Sequence, residues 1–298
     1  MAEIIHGRFK LLRKCGSGGS GAVYQARDLR LKRLVAIKRV TVDSRSRRYL
    51  LDRLLKEAEN LARVEHPNVV EVHDILDSDT SVSIIMELVR GARFLKLFQK
   101  RALPESELLG YFWQLVAALD AVHDVGLIHR DVNPRNVMVS REGVIKLTDF
   151  GLSAEVDEDE PRAGGTLGYM APETLRRGAR ISYGVDIYSL GFMAYQALLG
   201  ITQFKRLYAS RKPRDWMRWV LSREPFKTLE ELNVPVSQEL SRLIAGMLEK
   251  NPDARYKKIS EVRAELEALL RTLPRFGTPA SDEAVSPDSL ELGAQLRS

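Results

Sequence analysis

The stretch from Asn136 to Asp149 constrains this chain most. Val137-Met138-Val139-Ser140 and Val144-Ile145-Lys146-Leu147 are short apolar runs joined by Arg141-Glu142-Gly143, the composition of a β-hairpin. With Ser140 paired to Gly143, Asn136 lies across from Leu147, just ahead of Asp149. The hairpin then brings an amide oxygen and a carboxylate together. Hard oxygen donors so placed suit a magnesium ion held beside phosphate. His129-Arg130-Asp131-Val132-Asn133-Pro134-Arg135 leads into the hairpin, and Phe150-Gly151 follows Asp149.

A second cluster lies near the N-terminus. Gly16, Gly18 and Gly21, with Ser17, Gly19 and Ser20 between them, spell G-x-G-x-x-G, and Val23 follows. A dinucleotide site would need a helix directly after this loop. Here Val23-Tyr24-Gln25-Ala26 follows and looks like a strand, and the Gly-Lys-Ser/Thr of a Walker loop is missing. The glycines therefore read as the tip of a hairpin that covers phosphates with backbone N–H groups, with a plain glycine turn as the alternative.

The strand Val35-Ala36-Ile37 ends on Lys38. Leu51, Leu54, Leu55, Ala58, Leu61 and Ala62 then mark the apolar face of a helix from about Ser46 to Arg63, with Asp52, Lys56, Glu59 and Arg63 on the other side. Glu57 falls at the edge of the buried stripe. A carboxylate there needs a cation, and Lys38 is the natural candidate.

Strands near Val69–Leu76 and Val82–Glu87 complete a small sheet. Beyond Gly91 the spacing is helical: Leu108, Phe112, Leu115, Leu119 and Val122, then Asp186 to Leu199, Leu240 to Leu248 and Val262 to Leu270. A β-rich first third ahead of an α-rich remainder predicts an α+β chain of two lobes with a cleft between them. The length of 298 residues suits two lobes. Residues 273–298, rich in Pro, Ser and acids, read as a disordered tail or linker. One cysteine, Cys15, permits no internal disulfide and fits a reducing, cytoplasmic setting. No apolar run reaches the ~20 residues of a membrane span.

Net charge is +6, and it is concentrated. Residues 27–56 hold eleven Lys or Arg against three acids, and residues 205–223 hold seven against one. Solvated helix faces explain such runs; docking of an acidic partner is the sharper reading. Tyr208, Trp216 and Trp219 within the second run read first as a buried aromatic face. No nucleic-acid-binding motif is present.

Together these motifs resemble the catalytic domain of eukaryotic-type Ser/Thr protein kinases, bacterial members included. The resemblance covers about residues 8 to 272 and includes the glycine loop, Ala36-Ile37-Lys38, Glu57, His129-Arg130-Asp131, Asn136, Asp149-Phe150-Gly151, Ala171-Pro172-Glu173, Asp186 and Arg255, in family order. It implies a two-lobed kinase fold: an N-lobe (1–86) of small antiparallel sheet with one helix, a hinge (87–91) and a larger, mostly helical C-lobe (92–272). It further implies transfer of the γ-phosphoryl group of ATP, with Mg, to protein Ser or Thr hydroxyls, autophosphorylation included. The resemblance assigns Lys38, held by Glu57, to the α and β phosphates, Asp131 to the attacking hydroxyl, and Asn136 and Asp149 to magnesium. Glu87 and Val89 would meet adenine through their backbones, with Met86 at the back of the pocket and Val23, Ala36 and Met138 around the ring. Leu61, Val72, His129 and Phe150 would form an apolar stack linking the lobes, and Glu173 would pair with Arg255. A nucleotide-binding scaffold without turnover and a small-molecule phosphotransferase are the competing readings.

The chain departs from the family in two places. Asn133 stands where Ser/Thr kinases usually carry a lysine that stabilises the transferring phosphoryl group. Arg135, four residues after Asp131, is expected to replace that charge. Between Asp149 and Glu173 the hydroxyl residues besides Tyr169 are Ser153 and Thr166, and Thr166 is expected to bond near Asp131. Glu155 and Asp157-Glu158-Asp159-Glu160 make this loop acidic; either one of these carboxylates satisfies Arg130 without phosphorylation, or the loop is simply a solvated acidic segment.

Overall fold

The computed structural model describes residues 3–18, 21–41, 47–78, 81–155, 165–176, 178, 181–208 and 212–272. The chain begins with strands β1 (Ile4–Ile5), β2 (Phe9–Gly18), β3 (Gly21–Asp28) and β4 (Leu34–Thr41), followed by helix α1 (Arg47–Ala62), β5 (Val72–Ser78) and β6 (Ser81–Glu87). These strands form one antiparallel sheet in the order β1-β2-β3-β4-β6-β5. Pairing of β2 with β3 runs to Gly18 opposite Gly21, so the glycine-rich segment is the tip of a hairpin, as its sequence predicts. Gly19 and Ser20 lie outside the described residues. Gly21 has φ 111°, and a Cβ there would stand 2.6 Å from the Arg39 carbonyl oxygen, so a side chain is excluded twice over.

The remainder contains β7 (Gly91–Arg93), α2 (Leu95–Phe98), α3 (Glu105–Asp124), β8 (Leu127–Ile128), β9 (Val137–Ser140), β10 (Ile145–Leu147) and β11 (Ala154–Glu155). A 3₁₀ turn (Pro172–Leu175) precedes α4 (Gly184–Tyr208), α5 (Pro213–Val220), α6 (Gln238–Met247) and α7 (Ile259–Thr272). Leu108, Phe112, Leu115, Leu119 and Val122 of α3 are all buried, as their spacing predicts. Every residue of α4 from Gly184 to Gly200 is buried, so this helix is the axis about which the others pack. Leu103 and Ala102 crowd its far end: Leu103 donates to the Ala197 carbonyl, and a Cβ on Gly200 would meet the Ala102 backbone at 3.0 Å. Gly200 at φ 71° breaks the helix there, and a further stretch continues to Tyr208, beyond the Leu199 limit expected from periodicity.

Three local expectations need correction. The β9–β10 hairpin pairs Val137 with Leu147 and Val139 with Ile145, one residue out of the expected register. Ser140 bonds to the Val144 carbonyl, and Gly143, at φ 79°, is the third residue of a three-residue loop where a two-residue loop was expected. Asn136 therefore faces Thr148, whose N–H donates to its carbonyl at 2.8 Å. On α1, Ala62 is exposed and Asn60 is buried, because the helix end turns toward Ser153, which accepts from Asn60 Nδ2 at 3.0 Å. Finally, Val69 is not part of β5. It bridges Leu147, and Val70 donates to the Leu147 carbonyl, which ties the first sheet to the hairpin.

The aromatic members of the second basic run are core. Tyr208, Trp216 and Trp219 are buried, with the two indoles 5.3 Å apart, and Lys250 Nζ sits 3.7 Å over the Trp219 ring. No helix among the described residues is long and apolar enough to cross a membrane.

The expected Glu173–Arg255 pair is formed by a two-pronged contact at 2.7 and 3.1 Å, with Arg255 also donating to the carbonyls of Gly184 and Glu249. Both side chains are buried. Arg255→Ala would leave the Glu173 carboxylate without its cation, at a cost of about 3–5 kcal/mol in chemical denaturation. Arg255→Lys recovers only part of this, because one ammonium cannot reproduce the guanidinium fork.

Candidate active site

Lys38 lies in the middle of β4, paired across the sheet with Val23 and Ile84. Its ammonium is 2.6 Å from Glu57 Oε1 on α1 and 2.8 Å from Asp149 Oδ1 beyond the hairpin. The cation expected for Glu57 is thus present, and one side chain ties sheet, helix and the segment after β10 together. Burial alone would lower the Lys38 pKa, but the two carboxylates outweigh it and hold it above its ordinary value. Burial alone would raise the Asp149 pKa, yet the Lys38 ammonium holds it below the usual carboxylate range. Both groups are therefore charged at neutral pH. Gly151 leaves room for this triad: a Cβ there would come within 3.1 Å of Glu57 Oε2 and 3.5 Å of Asp149 Oδ1.

Asp131 sits at the end of the segment that follows β8. Its Oδ1 accepts from the Thr166 N–H and hydroxyl, both at 2.9 Å, and its Oδ2 accepts from Asn136 Nδ2 at 2.7 Å. The expected contact of Thr166 with Asp131 is present. Asn136 spends its amide N–H groups on the Asp131 carboxylate and carbonyl, which leaves its Oδ1 as the outward acceptor.

Asn133 does more than lack a charge. It is buried, and its amide donates to the Asp131 carbonyl at 3.0 Å and to Thr166 Oγ1 at 3.1 Å, while its oxygen accepts from the Arg135 N–H. Its sequence position signalled only the missing lysine. Arg135 is exposed and forms no ion pair among the described residues. Burial pushes the Tyr169 hydroxyl up, and the charge of Arg135 acts on it in the opposite sense.

Two non-glycine residues here adopt left-handed backbone, Arg130 at φ 65° and Asp149 at φ 66°. Such positions cost on the order of 1–3 kcal/mol each and need external support. Asp186, fully buried on α4, supplies it for Arg130. It accepts from the N–H groups of His129 and Arg130, both at 2.8 Å, and contacts His123 Nε2 at 2.9 Å. His123 had no recognisable motif in the sequence. The His129 ring packs edge-on against Phe150 at 4.7 Å, and His129 Nε2 lies 3.1 Å from the Thr148 carbonyl. Of the expected apolar stack, His129 and Phe150 are in ring contact, Leu61 belongs to the same core as Phe150, and Val72 packs against that core.

The remaining positions that the resemblance assigns lie on β2, β3, β4, β6, β9 and the segment after β6. Gly16 and Ser17 face Val23 and Ala22 across the glycine hairpin, and Gly18 faces Gly21. Ala36 pairs with Met86, and Val35 with Glu87. The Glu87 carboxylate holds Lys146 Nζ at 2.6 Å. Met138 pairs with Arg93 on β7, and Val89 lies in the segment between β6 and β7. β7 approaches β9 so closely that a Cβ on Gly91 would overlap the Val139 carbonyl oxygen. Of the loop acids, Glu155 pairs with Arg63 at 2.8 Å, not with Arg130, because β11 lays it against β8. Asp157 to Glu160 lie outside the described residues.

Asp186→Ala would strip the buried acceptor from two backbone N–H groups and release Arg130 from its left-handed conformation. The expected loss is roughly 3–5 kcal/mol of stability in a denaturant melt, with Asp186→Asn milder because it retains one acceptor oxygen.

The chain matches the protein kinase domain family over residues 9–265. It is 32% identical over 275 residues to a Clostridium perfringens protein named as a probable serine/threonine-protein kinase, covering 90% of this chain and 39% of that one. It is 31% identical to the serine/threonine-protein kinase pkn2 of Myxococcus xanthus, covering 93% of this chain and 35% of pkn2. It is 34% identical to CBL-interacting protein kinase 12 of Oryza sativa subsp. japonica, covering 84% and 46% respectively. The chain thus spans less than half the length of each of these relatives. With the Lys38–Glu57–Asp149 triad and the Asp131 cradle in place, and with this match across most of its length, the chain belongs to the protein kinase domain family, whose members use ATP and a divalent metal.

Proposed function

We propose that this protein transfers the γ-phosphoryl group of ATP to Ser or Thr hydroxyls of protein substrates, with magnesium as the divalent cation. The observation that carries this reading is the pre-assembled state of the site: Lys38 already bridges Glu57 and Asp149, and three donors already orient Asp131. A domain that serves only as a scaffold has no need to hold these four groups in register. The relatives named as serine/threonine-protein kinases support the same acceptor class.

Residues 1–272 form the catalytic unit in this reading, with 87–91 as the hinge and 273–298 as a tail. Lys38 binds the nucleotide phosphates, and Glu57 fixes its direction. The glycine loop, residues 16–21, covers those phosphates, and Val23, Ala36, Met86, Met138 and the backbone of Glu87 and Val89 receive the base. The acceptor hydroxyl lies against Asp131, which orients it and takes its proton as the phosphoryl group moves. Asn136 Oδ1 and Asp149 Oδ2, the oxygens free of the bonds described above, fit a magnesium ion. Among the described residues no three His, Cys, Asp or Glu side chains cluster as a metal cage. Two protein oxygens suit an ion whose other ligands are phosphate oxygens and water. When bound, such an ion supplies positive charge to the transferring phosphoryl group.

The missing lysine has a local replacement. Asn133 is committed to Asp131 and Thr166, whereas Arg135 is exposed and free of acidic partners among the described residues. Arg135 therefore lends the charge, and Asn133 keeps the Thr166 clamp.

Purified protein incubated with labelled ATP, magnesium and a generic Ser/Thr acceptor should incorporate phosphate, mapped to Ser or Thr by mass spectrometry. Asp131→Asn should lower kcat by roughly 10²-fold or more. Turnover equal to wild type in that variant, or phosphate found on tyrosine alone, defeats the reading. Arg135→Ala should lower kcat about tenfold with little change in the KM for ATP, as expected for loss of one charge felt mainly in the transition state. An undiminished rate ends the substitution role of Arg135.

A further inference from the structure

From Val89 to Arg101 the chain carries five basic residues, Arg90, Arg93, Lys96, Lys100 and Arg101, and no acid. The fold brings part of this run to the entrance of the active site. The Phe94 N–H donates to the Val137 carbonyl at 2.8 Å, and the Leu95 N–H donates to the Pro134 carbonyl at 3.0 Å. Residues 93–96 are therefore stitched directly to residues 134–137, the loop that carries Arg135 and leads back to Asp131. On its other side Arg93 reaches the glycine hairpin, with Nη2 3.6 Å from where a Cβ on Gly16 would stand.

Among the described residues no acid pairs with the charges at the centre of this run. Arg93, Lys96 and Arg135 are exposed, and none of them forms an ion pair among the described residues. Glu87 pairs with Lys146 and Glu107 with Arg101, while Asp131 is held by the neutral donors of Thr166 and Asn136. A cationic lip of this kind beside a carboxylate that receives the acceptor attracts negative charge and disfavours basic segments.

We infer that Arg93 and Lys96, together with Arg135, form a specificity surface that selects substrates with acidic residues within a few positions of the acceptor hydroxyl. The inference rests on the phosphotransfer reading above and names the substrate class for that same site. The occupant is an extended acidic peptide. At ~3.3–3.6 Å per residue, a few residues carry it from Asp131 along the 134–137 loop to β7. Its ion pairs are solvent-exposed, so selection is graded and weakens with salt. This surface differs from the basic runs 27–56 and 205–223, whose charges lie elsewhere in the sequence.

Three otherwise identical serine peptides, with Asp, Ala or Lys at the positions flanking the acceptor, provide the test with wild type and with the Arg93→Glu, Lys96→Glu double variant. Wild type is expected to phosphorylate the Asp peptide with the highest kcat/KM and the Lys peptide with the lowest, and the ratio should shrink at high ionic strength. In the double variant kcat/KM for the Asp peptide should fall about tenfold, mostly in KM, from two lost exposed pairs and added repulsion. The Ala peptide should change by less than about twofold, within what exposed charges contribute to a neutral ligand. Both side chains are exposed, so the variant should fold; the KM for ATP monitors the nucleotide site. Equal use of the three peptides by wild type, or an unchanged Asp-peptide KM in the variant, overturns the inference while leaving phosphotransfer intact. A change confined to the KM for ATP also overturns it, by assigning Arg93 to the nucleotide. No transfer to any peptide or protein acceptor by wild type brings down the phosphotransfer reading itself.

Discussion

A single buried ammonium holds the active site together. Lys38 is 2.6 Å from Glu57 and 2.8 Å from Asp149, and these three residues come from a central strand, the helix on the sheet and the segment after the second hairpin. A buried charge left without its partner is expensive, so the three elements are held in one arrangement by electrostatics as well as by packing. The strand that carries Lys38, the helix that carries Glu57 and the segment that carries Asp149 take their relative positions from this contact. Gly151 contributes by absence, since a Cβ there would press on the Glu57 carboxylate at 3.1 Å.

A second buried carboxylate fixes the other half of the site. Asp186 holds the backbone of His129 and Arg130, and so the strained turn from which Asp131 projects. It rises from the first turn of α4, the most buried of the described helices, and the Glu173–Arg255 pair braces that same end through the Gly184 carbonyl. Catalytic geometry is thereby referred to the rigid centre of the helical part, not to surface loops. That is the arrangement a site needs when its residues must be placed to within a fraction of an ångström.

The departure at Asn133 shows how one substitution can conserve geometry while moving charge. Its amide bridges Thr166 and the Asp131 carbonyl, so the acceptor side of the site stays clamped. The positive charge appears two residues later, on Arg135, and continues outward through Lys96 and Arg93. Arg135, Lys96 and Arg93 are all exposed, so the cationic character of this side lies on the surface.

Much of this was legible in the residues. The two-lobed architecture, the glycine hairpin and the Lys38–Glu57 pair follow from periodicity and residue type, whereas the Thr166–Asp131 contact and the Glu173–Arg255 pair, between segments 35 and 82 residues apart, were legible only through the resemblance to the kinase family. Other features were not legible. The hairpin register shifted by one because Gly143 could adopt φ 79° and lengthen the loop, a choice that spacing alone does not make. Glu155 went to Arg63 because β11 pairs with β8, a contact between distant segments. The bridging role of Asn133, the His123–Asp186 contact and the meeting of Arg93 with the catalytic loop likewise depend on chain segments far apart in sequence. Sequence determined which chemical groups this protein possesses and which local elements carry them. Tertiary structure decided which of those groups meet, because hydrogen bonds and ion pairs act over about three ångströms, and only the folded chain sets distances that short between remote residues.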